Sequence, residues 1–319
     1  MKLLIILALF AAVAGGALGV WRAADYRADR TEWARLTAAQ PAAPKQFDPA
    51  MVAELPDPAR RYFTCTIRPG TPLFTVAEIE MTGRFSLGSK EAPNYLDMRA
   101  RQILAAPEGF VWAMEASGGA MRVAGSDSGR WTRFWLWGIA PVARGDGEDH
   151  RRSAFGRTVA EAAIWTPAAL LPSPGVRWDA VSADRARVTV THEGLEQAVE
   201  ITIDDEGCPH EIRLERWSDV NSEKTFRLQP FGGRLLDFAW FDGFRLPTRV
   251  EAGNHFGTER YYPFFIADVA KIRFPKRLQL TSGNFSVGRP SRPVAGSESS
   301  CHCLPRPPQS SRSSASSRA

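Results

Sequence analysis

The stretch from Ser153 to Trp178, SAFGRTVAEAAIWTPAALLPSPGVRW, constrains the fold more than any other, because it is the only convincing helix inside a long interior of strand-like runs. Thr158 followed three positions later by Glu161 has the capping-box pattern of a helix start, and Val159, Ala162, Ala163 and Trp165 supply an apolar stripe behind it. Thr166-Pro167 joins a fair N-cap to the residue best suited to a first helical position. Pro167 to Leu171 therefore reads as a second short turn, stopped by Pro172, Pro174 and Gly175. A chain with one helix between two sets of strands must build its core mainly from sheet.

From Leu73 onward the apolar residues recur with period two. Leu73 to Leu87 alternates through Leu73, Ala77, Ile79 and Met81, with Gly83 expected to mark a bulge before Phe85 and Leu87. Tyr95 to Ala106 follows, and after the turn Pro107-Glu108-Gly109 a strand carries Phe110, Trp112 and Met114 on one face. Met121 to Ala124 leads to the turn Asp127-Ser128-Gly129. Arg130 to Val142 then reads as one strand with Trp131, Arg133, Trp135 and Trp137 on one face and Phe134 and Leu136 on the other. Beyond the helix, Val176 to Val181, Arg185 to His192, Gln197 to Ile203, Cys208 to Trp217, Phe226 to Gln229 and Arg234 to Phe241 succeed one another. Asp242-Gly243 makes a hairpin into Phe244 to Ala252, and Arg260 to Phe274 closes the set.

The pattern predicts a mainly β fold: a curved antiparallel sheet or half-barrel of roughly twelve strands, with Val159 to Leu171 packed into its concave side. Where both faces of a strand are apolar, as at Trp131 to Trp137 and Leu235 to Phe241, the second face must meet another layer or an apolar cavity. Two-sided core packing is the simpler account. A cavity is the functional one, with Trp131, Trp135, Trp137, Trp165, Phe110 and Trp112 as its candidate walls.

The N-terminus sets the chain's location. Lys2 is followed by eighteen uncharged, mostly apolar residues, Leu3 to Val20, enough to cross a bilayer. Residues 1–22 read as an anchor in preference to a cleaved signal, and the body is expected outside a bacterial cytoplasm as a single-pass membrane protein. Residues 23–47 suit a helical stem and linker, 48–276 the β-rich domain, and 277–319 a disordered basic tail rich in Ser, Pro and Arg. Asp48-Pro49 and Asp57-Pro58 each offer an N-cap for a short helical turn, Arg60 and Arg61 read as a solvated turn, and Tyr62 and Phe63 as docking on the sheet. The net charge of +5 resides entirely in the tail, leaving a neutral body and no nucleic-acid surface to expect.

Chemistry is sparse. No G-x-S-x-G, H-E-x-x-H, G-x-x-x-x-G-K-[ST] or G-x-G-x-x-G occurs. Asp146, Glu148, Asp149 and His150 crowd into GDGEDH, where a solvated acidic loop is the plain reading and an acid-base or divalent-ion site the sharper one. His210 is expected on the side of Ile212 and Leu214 as a core histidine, and Arg157 with Glu161 as a modest helix ion pair of ~0.3 kcal/mol if exposed. Cys65 and Cys208 are available to pair if the body is exported, with two separate buried thiols the equal alternative. Cys301-His302-Cys303 lacks the usual chelate spacing, so no metal or cofactor is expected.

Four runs carry a resemblance: RYFTCTIRPGTP (Arg61 to Pro72), EAAIWTPAALLPSPGVRW (Glu161 to Trp178), IDDEGCPHEIRLERW (Ile203 to Trp217) and FDGFRLPTRVEA (Phe241 to Ala252). Together they resemble an uncharacterised bacterial family known only as a domain of unknown function, over residues 45 to 275. The resemblance implies a fold and a membrane-linked location, and brings no catalytic residues. The order of strands, lid-like helix and strands, with the late hairpin from Asp242 to Val250, is also similar to the half-barrel of periplasmic lipoprotein carriers, which hold acyl chains in an apolar groove. The expected function is a membrane-anchored binding protein for a lipid or other hydrophobic ligand. An envelope interaction module with a solid core, meeting a partner through a sheet edge, is the alternative from a different class. An enzyme of unknown chemistry around Asp146 to His150 is a third, less favoured than a protein without catalysis.

Overall fold

The computed structural model describes residues 1–276; the predicted tail and its Cys301-His302-Cys303 lie outside the described residues. The body is one antiparallel sheet of thirteen strands. In chain order these are β1 (Val76–Ser86), β2 (Tyr95–Ala105), β3 (Gly109–Gly118), β4 (Met121–Ser128), β5 (Thr132–Leu136) and β6 (Ala140–Gly145), then β7 (Val176–Ala180), β8 (Arg185–His192), β9 (Leu195–Ile203), β10 (Pro209–Ser218), β11 (Arg227–Phe241), β12 (Phe244–Asn254) and β13 (Phe265–Arg273).

Two meanders, β1 to β6 and β7 to β13, are joined side by side through β1 and β13, so that β6 and β7 form the two free edges. The sheet curves without closing. The chain passes from one edge to the other through helix α3 (Gly147–Trp165) and the short turn Pro167–Leu170. Val159, Ala162, Ala163, Ile164 and Trp165 join one apolar core with the inward rows of the strands, among them Ala77, Ile79, Met98, Leu104, Phe110 and Trp112. Strand glycines allow neighbouring strands to approach closely: a Cβ on Gly83 would lie 2.0 Å from the Ile266 carbonyl oxygen, and one on Gly125 2.0 Å from that of Arg133. Gly83 thus marks a close approach, and the bulge lies in the pairing with β13, between Glu80 and Met81.

The opposite, convex face is covered by helix α1 (Lys2–Thr37). Its N-terminal apolar part is long and apolar enough to cross a membrane, a test that a signal sequence also passes, and none of that window is buried. From Trp21 onward the same helix lies diagonally over the sheet. Trp135 Nε1 donates to Asp25 at 2.9 Å, Arg144 pairs with Asp25 at 2.7 Å, Ser126 Oγ donates to Asp29 at 2.7 Å and Trp33 Nε1 donates to Glu78 at 3.1 Å. Leu36 finishes the contact against Val76, Ile103 and Val111. Burial raises the Asp29 pKa although the Ser126 hydrogen bond and Arg133 oppose it. The boundary read at residue 22 therefore falls inside one unbroken helix.

Several local expectations are corrected. The helix begins at Gly147, with Glu148 and Asp149 in its first turn, where acidic side chains complement the helix dipole. The acidic GDGEDH run is that N-terminus. Thr158 is no cap, because its hydroxyl donates to the Ala154 carbonyl inside the helix. Asp48 does cap Pro49–Val52, accepting from the Ala50 amide, whereas helix α2 (Asp57–Thr66) places Asp57 within its first turn as a partner of Arg60. Arg61 is likewise engaged, donating to the Asp204 and Asp205 carbonyls at 2.8 and 2.9 Å. Arg130 to Val142 is a hairpin, broken where Trp137 and Gly138 both take positive φ, and Phe226 to Phe241 holds one strand where two were expected. His210 is exposed, since the register shift between Pro209 and Glu211 removes it from the alternation that buries Ile212 and Leu214.

Tyr62 and Phe63 of α2 are buried against Trp178, and Tyr62 Oη donates to the Ala163 carbonyl at 2.9 Å. One residue pair fixes α2 to the β9–β10 turn covalently: Cys65 and Cys208 form a disulfide with their Cα atoms 5.3 Å apart. The link spans 143 residues. Replacing both cysteines by serine is expected to lower the unfolding free energy by about 2–4 kcal/mol. Urea denaturation measures this, and a change within about 0.5 kcal/mol, the scatter of neutral surface substitutions, would show that packing alone holds α2.

Candidate hydrophobic cavity

Between α3 and the concave face lies a cavity of about 550 Å³. That is well within the ~300–1,000 Å³ range of small-molecule sites. Its helix wall is Ala160, Ile164 and Trp165; its sheet wall is centred on Trp112, which has Phe85, Phe134 and Phe265 within about 6 Å, ring centre to ring centre. Phe231, Val250 and Phe264 continue the wall. Half-exposed Leu87 and Val142 form its rim. In an antiparallel meander alternate turns share one rim, so Leu87 and Val142 lie at the rim that carries the β1–β2, β3–β4, β5–β6 and β12–β13 turns. The disulfide-tied β9–β10 turn is at the other rim.

Charge is part-buried in this wall. Arg157, on α3, pairs with Glu161 at 2.6 Å and Asp127 at 2.8 Å, and Gln102 donates to Glu161. The Arg157 guanidinium lies over the rings of Phe110 and Trp112, 4.3 and 5.1 Å from their centres. Burial works against the Arg157 cation, but the two carboxylates outweigh it and raise its pKa above the ordinary value. Arg216 of β10 differs. It lines the cavity above the Phe231 ring with neither a hydrogen bond nor an ion pair among the described residues, and its Nε is buried without an acceptor. Burial, then repulsion by Arg157, lowers its pKa, against partial support from Asp127 and Glu161. The indole N–H groups of Trp112 and Trp165 are also buried without acceptors. An apolar cavity with a cluster of unanswered donors suits an amphiphilic ligand better than a pure hydrocarbon.

Of the six residues expected as walls, Trp112 and Trp165 line the cavity. Phe110 is fully buried beneath Arg157, outside the lining. Trp131 and Trp135 face the other side of the sheet: Trp135 meets Trp21 and Asp25 of α1, and Trp131 Nε1 donates to Ser126 while Arg133 lies over its ring. Trp137 sits at the tip of the β5–β6 hairpin, half-exposed, its indole N–H on the Ala120 carbonyl. The alternation along β5 is as expected, but Phe134 is the residue that faces inward. The acidic residues do not converge on one point, since Asp149 accepts from Trp217 Nε1 and His150 Nε2 contacts the Ser128 carbonyl oxygen. A larger furrow of about 1,240 Å³ beside α1 on the convex face has charged walls, including Glu80, Arg99, Arg101 and Glu115.

In sequence Arg157 reads as half of a modest helix ion pair with Glu161. The signal for its burial is the helix itself, where Gly156, Ala160, Ala162 and Ala163 put small residues on every side.

These features define a class: an open β half-barrel with a helix laid through its concavity and an apolar cavity between them. The chain belongs to a family of unknown function, DUF6544, whose model matches residues 45–266. Among solved structures it is similar to a LolA superfamily protein from Nitrosomonas europaea, at 9% identity and TM-score 0.33 over 68% of this chain and 91% of that one. It is also similar to a domain assigned to outer membrane lipoprotein sorting from Vibrio parahaemolyticus, at 9% identity and TM-score 0.31 over 66% and 89% of the two chains. No curated protein matches the chain.

Replacing Arg157 by methionine is expected to cost about 3–5 kcal/mol, because it leaves Asp127 and Glu161 in the wall without their ion-pair partner. Chemical denaturation at neutral pH measures the loss. A cost below about 1 kcal/mol, that of an exposed pair, would contradict the burial of the cluster.

Proposed function

We propose that this protein is a membrane-anchored, extracytoplasmic binding protein for a lipid or similar amphiphile. The ligand's apolar part lies in the cavity between α3 and the concave sheet, against Trp112 and Trp165, and its polar end reaches the Arg216 guanidinium. The observation that carries this reading is the cavity of about 550 Å³, lined by Trp112, Phe134, Ile164, Trp165 and Phe231, with Arg216 on its wall and no partner for that cation among the described residues. A guanidinium nitrogen buried without an acceptor, as Arg216 Nε is, is costly, and a carboxylate, phosphate or ester oxygen brought by a ligand would answer it. The exposed apolar helix supports the anchor. The Cys65–Cys208 disulfide supports an oxidising compartment outside the cytoplasm.

Native mass spectrometry of the full chain purified from bacterial membranes, with lipid extraction, tests the reading. A lipid bound one to one is expected. Ala160→Phe, which fills the cavity without deleting a core side chain, is expected to abolish retention while the circular dichroism stays unchanged. A folded chain that carries no lipid and takes up none from a lipid panel would overturn the proposal, as would a variant that retains its lipid.

A further inference from the structure

The β5–β6 hairpin has a feature that folding does not explain. Trp137 occupies a left-handed turn position, φ 50°, next to Gly138 at φ 73°. Asparagine or glycine would fill that position without strain. The tryptophan is nevertheless 57% exposed, Ile139 beside it is 63% exposed, and Val142, at the start of the return strand, is 53% exposed. Single exposed apolar residues are ordinary on a protein surface; three on one short hairpin are not.

The neighbour of this hairpin is α1, at the point where the helix leaves the sheet. Arg22 Nη1 donates to the Gly138 carbonyl at 3.1 Å, Trp21 packs edge-on to Trp135, and Arg144 lies over the Trp21 ring. Trp21 closes the uncharged run of α1, and the last residue of the run before that tryptophan, Val20, lies two residues before Arg22. At 1.5 Å of rise per residue that is ~3 Å along the axis, and the run from Leu3 to Val20 is ~27 Å long, close to the ~30 Å hydrocarbon core of a bilayer. A membrane crossed by this helix therefore has its surface at the level of the hairpin tip. Tryptophan and arginine are the residues that such a surface favours, and both are here: Trp21 and Trp137, Arg22 and Arg144. The Trp137 indole N–H already donates to Ala120, which leaves its ring free of any need for water.

We infer that the β5–β6 hairpin is an interfacial foot: Trp137 and Ile139 lie in the headgroup region of the bilayer that α1 crosses, and they hold the mouth of the cavity against that bilayer. The inference rests on α1 as an anchor and on the cavity as a lipid site. It adds the orientation. Val142 belongs to both the foot and the cavity rim, and Leu87 lies at that same rim of the sheet. A lipid leaving the membrane then enters between Leu87 and Val142 without crossing bulk water, while the β9–β10 turn at the opposite rim points away from the bilayer.

The test uses the full chain with Cys301 and Cys303 replaced by serine, in nanodiscs of phosphatidylethanolamine and phosphatidylglycerol, carrying an environment-sensitive NBD dye on Ile139→Cys or on Asp205→Cys. Asp205 is exposed on the β9–β10 turn. The dye at 139 is expected to emit to the blue of that at 205 and to be quenched several-fold more by headgroup nitroxide lipids. Equal, water-like emission at both sites, in a chain that stays with the nanodisc, would overturn the foot and leave the anchor standing; a chain that separates from the nanodisc would overturn both. A second measurement follows uptake of a fluorescent phospholipid from vesicles. Trp137→Asn with Ile139→Ser is expected to slow uptake several-fold without changing the amount bound at equilibrium. Unchanged uptake would contradict the foot, whereas no uptake by either chain would count against the lipid site and, with it, the proposed route.

Discussion

A curved sheet that does not close has one concave apolar face in need of cover, and everything in this fold follows from how that face is covered. Helix α3 connects the two free edge strands, so the chain cannot pass from the first meander to the second without crossing the concavity. Its small residues let it sit deep. Gly156 lies against Gln197 so closely that a Cβ there would be 2.7 Å from the amide oxygen. A helix laid inside a half-barrel touches the sheet unevenly. Towards β9 and β10 the packing is close, and towards Trp112, Phe134 and Phe265 it leaves the cavity. The Arg157 cluster holds helix and sheet together at the boundary between these regions. Paired on both sides with Asp127 and Glu161, the Arg157 cation is held by a part-buried network that links α3 to β4. Arg216, close by and unpartnered, is the exception, and it gives the cavity a polar end.

The convex face is solved by different chemistry. Helix α1 meets it through carboxylates, Asp25 on Trp135 and Arg144, Asp29 on Ser126 and Glu32 on Arg130, with Leu36 as the apolar end of the seam. The same helix becomes purely apolar where it leaves the sheet. One element therefore ties the body's orientation to that of the apolar segment, and any membrane that takes up the segment receives the half-barrel in a fixed pose, with one rim towards it.

Much of this was legible in the sequence, and the failures have physical causes. Period-two alternation gave nearly every strand, and Asp242-Gly243 gave its hairpin because both residues tolerate the positive φ that the turn requires. The helix in the concavity followed from its being alone among strands. Which face of β5 is inward could not be read, because both faces are aromatic and the complement that claims Trp135 is a carboxylate more than a hundred residues earlier in the chain. Trp137 and Gly138 form a turn that residue type does not announce. His210 changed sides through a one-residue bulge, which shifts the register without altering the local pattern. The ion cluster is a related case: the spacing of Arg157 and Glu161 predicts a helix pair without saying how far it is buried, and only the small residues around them indicate an enclosed helix.

Photolabelling tests the central claim most directly, because it reports where a ligand sits as well as whether one binds. The full chain would be equilibrated with a fatty acid bearing a diazirine at mid-chain, irradiated and digested, and the labelled peptides sequenced. Label concentrated on the α3 peptide with Ala160, Ile164 and Trp165 and on the β3 peptide with Trp112 is the predicted result, competed away by unlabelled phospholipid. Label confined to α1 or to the charged furrow beside it, with α3 and β3 unmarked, would contradict the account of the concave cavity as the binding site.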